Sequence, residues 1–150
     1  MIGVYKQLSI FLANVPGTLA SVLKVLGEQQ INILGLMVND SIDHAVIRMV
    51  VDDPAKAVHL LGNQGLLVIE SDVLGIVLED RPGALLEVAK TLAKAKVNIA
   101  YTYATNGTGG QVMAFIRPVD LRKAKKVLTE KFKSAKKKKK AGRKAKSAGS

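Results

Sequence analysis

Cysteine is absent from the 150 residues, which excludes both a disulfide framework and a thiolate metal site. No apolar run approaches the ~20 residues that a membrane-spanning helix needs. The first residues, Met1-Ile2-Gly3-Val4-Tyr5-Lys6, lack the basic flank, apolar run and small-residue cleavage site of an export signal. The expectation is a soluble, cytoplasmic protein with no membrane partner. Histidine is scarce: His44 and His59 have no carboxylate or second histidine at ligand spacing. No Ser-His-Asp order or paired-carboxylate motif stands out, so metal, cofactor and intrinsic catalysis are not expected. Acids are missing altogether from residues 133–150, which hold nine cations; removing these from the formal charge of +11 leaves +2 for residues 1–132. The charge therefore belongs to a tail and not to the fold. That tail, made of Lys, Ala, Gly, Ser and one Arg, is too polar and self-repelling to fold alone and is expected to be disordered.

What is present is a repeat. Asn14-Val15-Pro16-Gly17-Thr18-Leu19 returns 66 residues later as Asp80-Arg81-Pro82-Gly83-Ala84-Leu85. The match persists through Val22/Val88, Leu26/Leu92 and Ile31-Asn32-Ile33 against Val97-Asn98-Ile99. Self-similarity at a fixed period marks a duplicated supersecondary unit. With 48% hydrophobic and 23% charged residues, the chain can build one core or two small ones that share an interface.

Each copy reads as strand, Pro-Gly turn, amphipathic helix, strand. Tyr5 to Ala13 has the apolar, β-friendly character of a buried strand. Leu19, Val22, Leu23 and Leu26 then fall on one helical face. Ile31–Val38 and Ala45–Val51 read as strands around a turn at Asn39-Asp40-Ser41. Asp53-Pro54 opens a second helix, and Leu66–Ile69 is a fourth strand. The unit is βαββαβ, the ferredoxin-like pattern. The second copy has strands at Val73–Leu78, Val97–Ala104 and Gln111–Arg117, with helices at Pro82–Ala95 and after Asp120. Its last helix fits an offset of 67, so one residue is inserted near the hairpin at Asn106-Gly107 to Gly109-Gly110 or in the strand that follows it. No Lys-Ser/Thr follows those glycines onto a helix, so they read as a turn and not as a phosphate cradle. The fold class is α+β, with units at 1–70 and 71–132 and the tail at 133–150. The second unit has no fourth strand of its own, which leaves a sheet edge to cover. Either Ile69–Val77 folds as a tight hairpin and lends the first unit's last strand to the second, or another chain covers the edge.

Each Pro-Gly turn joins a strand end to a helix N-terminus, where free N–H groups and the dipole receive a carboxylate. Asn14 and Asp80 offer oxygens to an ammonium, and Asn32 and Asn98 stand 18 residues further on. A carboxylate receptor beside an ammonium acceptor suits a free α-amino acid. The competing reading is that Asn or Asp before Pro-Gly is a plain turn and helix cap.

The two motifs, N-V-P-G-T-L…I-N-I and D-R-P-G-A-L…V-N-I within βαββαβ units, resemble the ACT domain, an amino-acid-binding regulatory module, over about residues 5–132. The resemblance implies a non-catalytic sensor of amino-acid metabolism with the ligand at an interface between modules, and a homodimer. It points to Asn14, Val15, Pro16, Gly17, Asn32 and Ile33 as one site and to Asp80, Arg81, Pro82, Gly83, Asn98 and Ile99 as the other. Some amino-acid-binding members carry histidine where Leu12 and Leu78 stand here, which favours an apolar ligand. Asp80 in place of Asn makes the two sites differ. One alternative is a regulatory subunit of a biosynthetic enzyme, of the acetolactate synthase small-subunit class. The other is a nucleic-acid-associated protein acting through Lys136–Lys140, which would neutralise phosphates without reading sequence.

Overall fold

A computed structural model describes residues 1–149; Ser150, the last residue of the expected tail, lies outside them. The elements are β1 (Ile2–Ala13), α1 (Thr18–Glu28), β2 (Ile33–Asp40), β3 (His44–Val51), α2 (Pro54–Asn63), β4 (Leu67–Glu79), α3 (Ala84–Lys94), β5 (Ile99–Asn106), β6 (Gln111–Pro118) and α4 (Leu121–Ser147). The strands form one sheet in the order β2-β3-β1-β4-β6-β5, antiparallel throughout. This is two ferredoxin-like units fused edge to edge through β1 and β4.

Local chemistry sets the elements as the repeat suggested. Asp53 and Asp120, equivalent at an offset of 67, cap α2 and α4 by accepting from the backbone N–H groups of Lys56 (3.1 Å) and Lys123 (3.0 Å). Three residues join β2 to β3 and four join β5 to β6, so the inserted residue lies in the second hairpin loop. Alternation along the strands sends Leu8, Ile10, Ile47 and Met49 to meet Val22, Leu26 and Leu61 in one core. Leu74, Ile76, Ala114 and Ile116 meet Val88, Leu92, Ala124 and Leu128 in the other.

β1 and β4 pair over ten residues, and every pair joins residues whose numbers sum to 78, from Ile2 with Ile76 to Phe11 with Leu67. Repeat equivalence joins residues 66 apart. Both relations hold at once only for Lys6 and Asp72, so the pseudo-twofold axis of the molecule passes through that pair. The Lys6 ammonium lies 2.7 Å from the Asp72 carboxylate. An unchanged duplication would set like side chains opposite each other there, and like charges facing across a sheet destabilise it. The half-exposed ion pair contributes little energy; it makes the self-facing position acceptable.

The same pairing resolves the missing strand. Ile2–Tyr5 lies beside Val73–Ile76, the position that Leu67–Ser71 takes beside the first unit's β1. The N-terminal half of β1 is therefore the fourth strand of the second unit. This corrects the expected hairpin at Ile69–Val77: β4 runs unbroken through it, because Leu67–Ile76 finds hydrogen-bond partners along β1 and Leu74–Glu79 along β6. The expected boundary between residues 70 and 71 falls inside this strand. A second correction concerns the tail, which continues α4 to Ser147 instead of being disordered. Lys and Ala are good helix formers, Gly142 is its one weak residue before the end, and a docked first half has already met the cost of nucleation.

On the face without helices the sheet curls until its edge strands β2 and β5 meet. Between them Phe115, fully buried, packs against Tyr5 and Tyr103 with ring centroids 5.6 and 5.5 Å away. Gly35 allows the closure, since a Cβ there would stand 2.5 Å from Phe115. Gln7 is the buried polar link. Its amide nitrogen donates to Tyr101 Oη (2.7 Å), and its oxygen accepts from the Tyr103 hydroxyl (2.9 Å). Burial raises the Tyr103 pKa, so this hydroxyl stays a donor.

Gln7→Leu, close in shape but without hydrogen bonds, strands both tyrosine hydroxyls. It is expected to lower stability by about 1–3 kcal/mol in urea unfolding, with the m-value unchanged. A loss below the error of the measurement would show that the network carries no stability.

Candidate functional site

The two Pro-Gly turns are built alike. Gly17 and Gly83 have φ of 90° and 85°, the left-handed region, immediately before α1 and α3. A Cβ at either would meet nothing within 4 Å, so backbone conformation, not crowding, requires glycine. Each turn is tied to the hairpin of its own unit: Asn14 N–H donates to the Asp43 carbonyl (3.2 Å), and Asp80 N–H to that of Gly110 (2.8 Å). The Asn14 amide also donates to the Ser41 carbonyl (3.0 Å). Neither α1 nor α3 receives a side-chain cap, which removes the simple capping role.

The asparagines stand elsewhere. β2 runs parallel to β1, with β3 between them, and Ile33 pairs with Val51, one step beyond the Val50–Gln7 pair. Asn32 therefore lies about nine strand residues below Asn14, roughly 30 Å at 3.3 Å per residue. The register of β5, β6 and β4 separates Asn98 from Asp80 in the same way. Asn32 instead exchanges hydrogen bonds with Asp52: its N–H donates to Oδ1 (3.0 Å) and its carbonyl accepts from the Asp52 N–H (3.1 Å). The Asn98 carbonyl accepts from Val119 N–H (2.9 Å). Ile33 and Ile99 pack against the two cores. The loop and the asparagine of one repeat do not share a site.

Beside each turn lies a cleft between the two helices of its unit. The first, about 190 Å³, is lined by Leu12, Thr18, Ser21, Val22, Val25, Leu61, Gln64 and Leu66. The second, about 400 Å³, contains Leu78, Ala84 and Glu87, the repeat equivalents of Leu12, Thr18 and Ser21, together with Met1, Glu79, Arg81, Phe132, Ala135, Lys136 and Lys139. Only the second reaches the ~300 Å³ usual for a small-molecule site.

Charge separates the clefts further. Arg81 bridges two carboxylates, at 2.7 Å from Glu87 and 3.3 Å from Glu79, and Lys139 closes on Glu79 from α4. Lys139 first, then Arg81, holds the Glu79 carboxyl below its ordinary value; Arg81 does the same for Glu87. Glu87, then Glu79, raises the Arg81 pKa. Burial and neighbouring Lys136 lower that of the Met1 ammonium. The arrangement offers cations to a carboxylate, carboxylates to an ammonium, and an apolar wall from Leu78, Ala84, Phe132 and Ala135. Sequence reasoning had named Arg81 but missed Met1, Glu79, Glu87 and Phe132. For Glu87 the repeat itself held the signal, since it stands 66 residues after Ser21 of the first cleft. Among the described residues, no group of three or more His, Asp or Glu is placed to hold a metal ion, and no helix is long and apolar enough to cross a membrane.

A family model described as ACT domain pair matches residues 3–141. A solved protein from Bacteroides thetaiotaomicron is similar at 37% identity, covering 87% of this chain and 90% of that one, with a TM-score of 0.81. The ligand-free regulatory subunit of aspartate kinase from Thermus thermophilus shares the fold at 14% identity, 86% and 95% coverage and a TM-score of 0.64. A structure of aspartokinase alpha and beta subunits does so at 17% identity, 88% and 97% coverage and 0.61. No curated protein matches the chain.

Because Glu79 has a depressed pKa in the folded protein, its contribution is present above the ordinary value of 4.5 and is lost as pH falls through the folded value. In a carboxyl NMR titration, Lys139→Gln should move the Glu79 midpoint upward, while a distant Lys24→Gln leaves it in place. An unmoved midpoint in Lys139→Gln would mean that α4 does not close on this carboxylate.

Proposed function

The chain belongs to the ACT domain pair family, and on that premise we propose that it is a non-catalytic regulatory protein that binds a free amino acid. The observation that carries the reading is the second cleft, where Arg81 stands between two carboxylates over an apolar wall. An α-amino acid presents a carboxylate, an ammonium and a side chain from one carbon. Arg81 and Lys136 take the first, Glu79 and Glu87 the second, and Leu78, Ala84 and Phe132 the third. The wall left to the side chain is apolar, so a branched-chain or other apolar amino acid fits best. The Asp80-Arg81-Pro82-Gly83 turn holds this site, and Asn98 and Ile99 serve its unit structurally. The first cleft, walled by α1 and the end of α2, is smaller and lacks ionic groups; it is a secondary site at most.

Occupancy becomes a signal only if the ligand binds two states of the protein unequally. α4 is the natural reporter, because Phe132, Ala135, Lys136 and Lys139 form one wall of the cleft. The output we propose is a contact between a homodimer and an enzyme of amino-acid biosynthesis in the cytoplasm. This rests on analogy of fold with the aspartate kinase regulatory subunit.

A thermal-shift screen of the 20 amino acids on the full chain tests the reading. Hundredfold excess over Kd adds about 2.7 kcal/mol, roughly 5–10 °C in a chain of this size. The expected result is a shift with one or a few apolar amino acids, abolished in Arg81→Gln and retained in Asn14→Ala. A shift retained in Arg81→Gln would move the site to the first cleft, and no shift with any amino acid would overturn the function.

A further inference from the structure

The C-terminal half of α4 takes no part in either core, yet it is a formed helix whose residues 133–149 are all exposed. Its cations are not scattered. Lys133, Lys137, Lys140 and Lys144 follow the spacing i, i+4, i+7, i+11 and fall within one stripe of the helix surface at 100° per residue. The residues that face the body, Phe132, Ala135 and Lys139, lie well round the opposite side by the same count, and Lys139 is bound to Glu79. Lys136 and Arg143 border the stripe on one side. The stripe spans 11 residues, about 16 Å, and α4 continues eight residues past Lys139 to Ser147.

We propose that this stripe is a binding arm for double-stranded DNA, contacting the phosphate backbone without reading sequence. Charge and shape together select this partner. Duplex DNA carries one phosphate per ~1.7 Å of axis, and its major groove admits an α-helix, which suits an exposed helix that carries a stripe of cations about 16 Å long. The arm carries no apolar residue larger than alanine after Phe132, so it has no face to insert into a bilayer. It has no aromatic ring on which single-stranded bases could stack. Duplex RNA has a major groove too deep and narrow to receive it. Because the four stripe lysines point away from the cleft wall and none of them lines it, the inference stands apart from the amino-acid reading.

Fluorescence anisotropy with a 30-base-pair duplex of arbitrary sequence tests it on the full chain. The comparison is with the fourfold variant K133Q/K137Q/K140Q/K144Q, which keeps Lys136 and Lys139 at the cleft and retains helix propensity, as circular dichroism can verify. Four phosphate contacts give a slope of about −3.6 in log K against log salt, close to a hundredfold loss between 50 and 200 mM. The expected result is a slope at least that steep in the native chain, and far weaker binding with a slope shallower by about 3.6 in the variant. Three results would each overturn the proposal: no DNA binding by the native chain at 50 mM salt, equal binding by the variant, or stronger binding to phosphatidylserine vesicles or duplex RNA than to DNA.

Discussion

The pairing of β1 with β4 is the constraint on which the rest of the molecule depends. Ten residues of each strand are locked in one antiparallel register, and the two copies of the repeat are related by an axis through Lys6 and Asp72. Each strand serves both units, with one half acting as first strand of its own copy and the other half as fourth strand of its neighbour. Neither unit can leave without exposing the edge of the other, so the pair folds as one sheet. The burial of Gln7 between Tyr101 and Tyr103 follows from the same register, which brings the first unit's strand under the second unit's aromatic residues.

That constraint also made the two clefts unequal. Supplying a fourth strand from the N-terminus places Met1 at the mouth of the second cleft, and α4 outgrows α2 and adds Phe132, Ala135, Lys136 and Lys139 to the wall. In the first unit the equivalent ground is covered by Gln64 and Leu66, where the chain leaves α2 for β4. Duplication provided two scaffolds, and divergence at Val15/Arg81 and Ser21/Glu87 gave one of them ionic character.

Much of this was legible in the sequence. The 66-residue offset, the helical faces, the aspartate caps and the left-handed glycines at 17 and 83 are local features, written within a few residues of where they act. What was not legible depends on distance in the chain. Ile2–Tyr5 is the counterpart of Val68–Ser71 at the 66-residue offset, but the two segments share too little sequence for a self-match to detect, and its role appears only once β1 pairs with β4. Asn32 and Asn98 looked like companions of the loops at constant spacing, but a constant spacing also results when a helix carries the chain to the far end of the sheet. The tail read as disordered because its charge repels itself; composition alone did not reveal that it prolongs a helix already nucleated by Ala124 and Leu128.

The central claim is that an amino acid occupies the space between the β4–α3 turn and α4. A backbone amide NMR titration of the full chain with pooled apolar amino acids tests it most directly, because it reports location as well as binding. The account predicts shifts that saturate and cluster at Arg81–Ala84 and Phe132–Lys139, with Asn32 and Asn98 silent. Shifts centred on Asn32 and Asn98, with the turn unmoved, would contradict it.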